Sequence, residues 1–202
     1  MEDLHTFHLI VSDWINYIRP YVLEKFPYKD GAVIQAGGNC GVYPLLFSEF
    51  FNNVYTFEPD PLNFFCLTNN CQAPGIVKFN CALDEKPRLM TIKEVNSSNR
   101  GMNKVEPYIT DKSNRLTVPS ISIDSLNLQR VKLIQLDLEG FELQAINGAK
   151  KTIRKNKPII ILESSITNDL VYFKKIESLM NTLNYTTDRQ LTRLDTAFIP
   201  KE

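Results

Sequence analysis

The chain has 202 residues, enough for one domain with a substantial buried core. Its 23 basic residues balance its 23 acidic ones, so no overall field draws it toward nucleic acid or a membrane surface. No apolar run is long enough to cross a bilayer, and the opening Met-Glu-Asp-Leu-His lacks the basic-then-apolar order of a signal peptide.

Residues 4–26 carry Leu9, Ile10, Trp14, Ile15, Ile18 and Val22 at helical spacing, punctuated by Pro20 and Pro27. They predict an N-terminal helical segment over residues 1–30. A first apolar strand follows at 32–36, then the glycine-rich turn Gly37-Gly-Asn-Cys-Gly41 and a helix bearing Tyr43, Leu45, Leu46, Phe47, Phe50 and Phe51. The second strand is 54–57. Pro61 opens a helix to about residue 70, since proline is tolerated in a first helical turn. A third strand at 76–80 runs into Cys81-Ala-Leu-Asp84. Over residues 85–120 the rhythm changes: β-like pieces at 88–95 and 116–123 flank the polar stretch 96–103, which reads as a surface loop of the kind that forms lids. The alternation resumes with a fourth strand at 131–138, a helix over about 142–155, a fifth strand at 158–163 and a helix over about 169–183. Two last strands, at 185–187 and 192–199, suit a closing antiparallel hairpin. This order predicts one α/β domain spanning 1–202: a three-layer α/β/α sandwich, Rossmann-like, with a mostly parallel sheet.

Cys40, Cys66, Cys71 and Cys81 show neither CxxC nor metal-ligand spacing. They read as thiols of a reducing, cytoplasmic compartment, and no metal is expected. His5 and His8 lack an accompanying acid pattern and read as surface histidines. The basic run over residues 150–157 ends a helix, where cations complement the helix dipole. It reads as a solvated terminus rather than a nucleic-acid contact.

Two constellations carry chemistry. In the first, Gly37, Gly38 and Gly41 leave the backbone open to close approach by a ligand. Glu58 ends the adjacent strand, about twenty residues on, where an acid accepts hydrogen bonds from ribose hydroxyls. A dinucleotide fingerprint needs glycine at relative positions one, three and six; from Gly37 these hold Gly37, Asn39 and Val42. No GxxxxGK[ST] loop occurs either. A nucleoside bound without a pyrophosphate finger points to S-adenosylmethionine, with Asn39 toward its tail or ribose and the adenine near Cys81-Ala82-Leu83-Asp84. The second constellation is Asp137, Glu139 and Glu142 after strand four, joined by Glu163 at the end of strand five. Asp137 is placed to bind a ligand or act as a base, and Glu142 falls in a first helical turn, where the dipole favours a carboxylate.

At these residues the chain resembles the FkbM family of S-adenosylmethionine-dependent methyltransferases. Gln35-Ala-Gly-Gly-Asn-Cys-Gly41 resembles the family's D-x-G-A-N-x-G, and Phe57-Glu-Pro-Asp-Pro61 its F-E-P-x-P. Ser122-Ile-Asp-Ser-Leu126, Leu133-Ile-Gln-Leu-Asp-Leu-Glu-Gly-Phe-Glu142, Asn147-Gly-Ala149 and Ile160-Ile-Leu-Glu163 follow in the family's order. Gln35 stands where the family has aspartate, Gly38 where it has alanine, and Gln135 where it commonly has lysine. The resemblance implies a class I methyltransferase fold and O-methylation of a sugar or another hydroxylated small molecule. The expected cofactor contacts are Gln35, Gly37, Gly38, Asn39, Gly41, Glu58, Pro59, Ala82, Leu83 and Asp137; the candidate bases are Asp137, Glu139 and Glu163. The alternatives are a cofactor-binding protein with weakened catalysis, motivated by Gln35, and a nucleic-acid methyltransferase resting on the basic run alone. The sequence gives no oligomeric state.

Overall fold

A computed structural model describes residue 8 and residues 11–93, 103–108, 115–164 and 169–202. His5 and residues 96–102 of the polar stretch, on which the lid expectation falls, lie outside these. Among the described residues, eleven strands form two sheets. The strands of the large sheet are β1 (Ala32–Ala36), β2 (Asn53–Phe57), β3 (Ile76–Phe79), β8 (Val131–Leu136), β9 (Ile159–Glu163), β10 (Tyr185–Gln190) and β11 (Asp195–Pro200). Their spatial order is β10-β11-β9-β8-β1-β2-β3. The β3-β2-β1-β8-β9 run is parallel, and β11 pairs antiparallel with both β9 and β10. The predicted closing hairpin is therefore part of the main sheet.

Both faces of this sheet are covered, which explains why its strands read as unbroken apolar runs. On one face Ile34, Leu136, Ile160 and Leu162 pack with Ala145, Ile153, Phe173 and Ile176. Those residues come from helices α4 (Glu142–Asn147), α5 (Lys150–Asn156) and α6 (Leu170–Thr182). On the other face Val33, Leu133, Ile161 and Ala197 meet Trp14, Ile18, Phe47 and Leu67. These lie in the N-terminal segment, where a π turn at Trp14–Ile18 runs into α1 (Arg19–Lys25), and in α2 (Val42–Phe47) and α3 (Pro61–Asn70). Trp14 meets Phe47 edge to face at 5.1 Å. The predicted three layers are all present.

The helix expected over 142–155 is two helices broken at Gly148. A Cβ there would sit 2.1 Å from the Asp84 carbonyl oxygen, so the break is where this segment presses on the chain just after Ala82–Leu83. Asp124, in the Ser122-Ile-Asp-Ser-Leu126 stretch, restarts the helix: its carboxylate accepts from the backbone N–H of Lys151 and Thr152 at 2.9 and 2.7 Å. The region expected to depart from the βα rhythm forms the small sheet β4-β7-β5-β6, made of Ala82–Leu83, Thr117–Ile121, Arg88–Lys93 and Lys104–Pro107 in that order. Met90, Ile92 and Val118 of this sheet pack on Phe141, which mounts it over one end of the large sheet.

Candidate functional site

The chain runs from β1 toward β2 and β3 on one side, and from β8 toward β9 on the other. This reversal opens a crevice at the carboxyl ends of β1 and β8, the usual ligand position in an open α/β sheet. A cleft lies there with about 680 Å³ of free space, part of it continuous with solvent. Gly37, Asn39, Glu58, Pro59, Asp137 and Glu139 form its sheet-end wall; Ala82, Leu83, Ile92, Asn103, Val105 and Phe141 face them.

The strand ends are locked together by backbone bonds. The N–H groups of Gly37 and Gly38 both donate to the Phe57 carbonyl, at 3.1 and 3.0 Å, and Asp137 N–H donates to the Ala36 carbonyl at 3.1 Å. Gly37 has φ +81°, and a Cβ on it would lie 2.1 Å from the Asp137 carbonyl oxygen. Only glycine lets the turn and the segment after β8 touch backbone to backbone. Glu58 is buried, yet both its oxygens are engaged: one accepts from Asn39 N–H and the other from Asp60 N–H, each at 2.8 Å. Burial pushes its carboxyl up to about 7 against the pull of those two donors.

Gln35 does not line the cleft. Its Oε1 accepts from the Thr56 hydroxyl at 2.6 Å, while its Nε2 donates to the carbonyls of Ala36 and Gly37 at 3.2 and 3.1 Å. It is fully buried and acts on the glycine turn from behind. An aspartate could accept from Thr56 but could not donate to those carbonyls.

The second constellation gathers as the strand register dictates. Leu136 pairs with Leu162, so the next residues, Asp137 and Glu163, emerge side by side, and Asp195 pairs with Glu163 from the far side. Carboxylate oxygens of Asp137, Glu139 and Glu163 lie within 4.8 Å of one another, a spacing that could also hold a metal ion. Burial, and then the neighbouring Glu163 carboxylate, hold Asp137 well above the usual carboxylate range. Burial raises Glu163 to about 7, and Asp195, which accepts from the Thr192 hydroxyl at 2.6 Å, to about 6. Among the described residues no ion pair reaches Asp137, Glu163 or Asp195. Glu139 is raised by burial and lowered by Lys104, and its backbone is left-handed, φ 53°. A glutamate is held in that conformation only by its surroundings. The holder is Glu142, fully buried, which accepts from Leu138 N–H at 2.8 Å, from Gly140 N–H at 3.3 Å and from the Tyr172 hydroxyl. Glu142 fixes the shape of the 137–140 segment.

The structure thus brings together Gly37, Asn39, Glu58, Pro59, Ala82, Leu83, Asp137 and Glu139 in one cleft, with Glu163 at Asp137. Gln35, Gly38 and Gly41 stand outside its lining; Gly38 and Gly41 pack the turn onto Leu67 and Cys71 of the α3 region. Asp84, at the edge of the expected adenine position, is fully buried and clasped by Arg88. Sequence reasoning missed Asp195, Asn63 and Phe141, and Asn103 entered it only as the end of the polar stretch. The positions of Asp195 and Asn103 depend on register and the small sheet's mounting, for which no local signal exists. Asp60 was legible, as an acid before Pro61; it caps α3 by accepting from Leu62 N–H at 2.9 Å.

The profile of the Methyltransferase FkbM domain matches residues 39–187. The hexuronic acid methyltransferase AglP of Haloferax volcanii is 26% identical over 139 residues, which cover 66% of this chain and 56% of that protein. The chain therefore spans little more than half the length of this curated relative. Among solved structures, an FkbM methyltransferase from Methylobacillus flagellatus aligns with TM-score 0.56 at 20% identity, over 84% of this chain and 43% of that one. A precorrin-6y C5,15-methyltransferase from Geobacter metallireducens aligns with TM-score 0.53 at 11% identity, over 92% and 88%. At these identities the structural likeness is one of fold.

Proposed function

The chain belongs to the FkbM methyltransferase family, whose methyl donor is S-adenosylmethionine, and on that premise we propose that it methylates a hydroxyl of a small molecule or glycan. The observation that carries the reading is one cleft lined both by Glu58, a carboxylate fixed by two backbone N–H groups, and by Asp137, which shares a proton-accepting pair with Glu163 behind it. The cleft suits the donor in its parts. Gly37 and Asn39 offer backbone and amide to an amino-acid tail, Glu58 offers acceptors to ribose hydroxyls, and Pro59, Ala82 and Leu83 offer apolar surface to a flat base. Gln35, Gly38 and Gly41 serve the same site indirectly, by shaping the turn.

S-adenosylmethionine, when bound, supplies a methyl carbon already activated by its sulfonium. The protein's share is to orient the acceptor and manage one proton. An acceptor hydroxyl must lose its proton as its oxygen attacks, and Asp137, beside Glu163, is the group proposed to take it. Glu139, held next to the pair by Glu142, contributes charge and position. A sugar is the favoured acceptor, supported by the hexuronic acid methyltransferase relative. A cytoplasmic site of action belongs to the same reading, supported by four cysteines among which no disulfide is formed. Among the described residues no helix is long and apolar enough to cross a membrane.

Calorimetric titration of the whole chain with S-adenosylmethionine, S-adenosylhomocysteine and NAD tests the cofactor. Binding of the first two and not the third is expected; a folded sample that binds neither would sink the reading. Labelled donor with a panel of neutral sugars, uronic acids and simple alcohols then reads the acceptor, with mass analysis of the product for an O-methyl group.

A further inference from the structure

The cleft changes character along its length. At the glycine turn it is polar; beyond Glu58, Ala82, Leu83, Ile92, Val105 and Phe141 give it an apolar surface, edged by Asp60 and Asn63 at the start of α3. One polar side chain from the small sheet breaks this apolar surface. Asn103 precedes β6, whose Val105 pairs with Ile92 of β5, and its side-chain amide reaches back across the cleft to α3. There its Nδ2 donates to Asp60 Oδ2 at 3.1 Å. Its Oδ1 is buried and has no hydrogen-bond partner among the described residues.

The orientation of this amide is dictated by chemistry. A carboxylate accepts and does not donate, so the NH₂ end must face Asp60 and the oxygen must face away. A buried acceptor left without a donor costs roughly 1–3 kcal/mol, and native chains carry few of them. Asp84, the acid of the stretch expected beside the adenine, cannot fill the role, because it is fully buried outside the cleft lining and is held by Arg88 and the Glu85 N–H.

Resting on the cofactor reading above, we propose that Asn103 selects the base: its Oδ1 accepts a hydrogen bond from the exocyclic amino group of adenine. An apolar slot accepts any flat ring, and Asn103 is what distinguishes an amino group from a carbonyl oxygen at the same ring position. A site with a committed acceptor rejects an analogue that presents a second acceptor there, since neither group then finds a proton. The small sheet thereby supplies base specificity as well as a wall.

The test compares S-adenosylhomocysteine with S-inosylhomocysteine, which carries a carbonyl oxygen in place of the amino group, by calorimetry on the full chain. The wild type is expected to prefer the adenine ligand by at least about tenfold. Asn103→Ala should cut that preference below about threefold, chiefly by weakening the adenine ligand. If Asn103 only tethers the small sheet to Asp60, the variant weakens both ligands alike and keeps the wild-type ratio, which overturns the assignment. Equal affinity of the wild type for both ligands overturns it too, while leaving the cofactor reading intact. A wild type that binds neither overturns both.

Discussion

Glu58 and Asp137 each follow a strand flanking β1, yet the two carboxylates are prepared for different work. Glu58 is met by two backbone N–H groups, at 2.8 Å each, which fix both oxygens in place and leave further lone pairs for a ligand. Asp137 is met by another carboxylate, and the nearest members of its group are acids as well. One site is ordered by the backbone and suits holding a ligand's hydroxyls. The other is buried among like charges, so its stable form near neutrality carries a proton that can be exchanged. The lesson is that strand-end acids, indistinguishable by position, divide into binding and proton-handling roles according to what faces them.

The sharpest way to break this contrast is at Asp137. Asp137→Asn should lower turnover by about 10²–10⁴-fold while cofactor affinity stays within about threefold, read by single-turnover methyl transfer beside calorimetry. Wild-type turnover should rise with pH through about 7, where Glu163 titrates, since the pair must shed its proton to act as a base. Full turnover in the variant would remove Asp137 from the chemistry.

Glu58→Ala should act on the other side of the contrast. It removes charge-assisted hydrogen bonds of about 1.5–3 kcal/mol, so cofactor affinity should fall about 10- to 100-fold, with turnover at saturating donor much less affected. A loss of turnover with unchanged affinity would reverse the two roles.

The smallest effect is on stability. In the folded chain Glu163 titrates at about 7, against 4.5 ordinarily, because burial disfavours its charge. Between those values the native state binds more protons than the unfolded one, so stability falls as pH rises from about 4.5 to about 7 and levels off above. Glu163→Gln should therefore shrink the drop in Tm between about pH 5 and pH 8 for the ligand-free protein. Asp195 and Glu58, displaced the same way, keep the drop from vanishing. An unchanged drop would show that burial of Glu163 does not govern its ionisation.

Much of this architecture was legible because the parallel strands are buried on both faces. Val131–Leu136 and Ile159–Glu163 announce themselves as apolar runs closed by acids, and Gly37 and Pro61 punctuate their neighbours. What escaped was set by contacts distant in sequence. The helical pattern continues through Gly148, but the helix ends there, where the chain lies against the Asp84 carbonyl and Asp124 caps a new start. Gln35 occupies the strand position of a ligand contact, but the Thr56 hydroxyl and the turn's own carbonyls take up its amide. Glu142 looked like a helix-start acid; its partners, Leu138, Gly140 and Tyr172, make it the clamp behind Glu139.

The contact between Gly37 and the Asp137 carbonyl has a consequence for anyone wishing to redesign this cleft. Where two main chains touch, no side chain is available to trim or enlarge, and any added atom displaces the proposed donor-holding turn and the proposed base together. That point of the cleft is closed to variation. The opposite wall is made of the side chains Ile92, Asn103 and Val105, each replaceable without moving a strand end. Room for a bulkier donor analogue should be sought there, where the molecule can be edited one residue at a time.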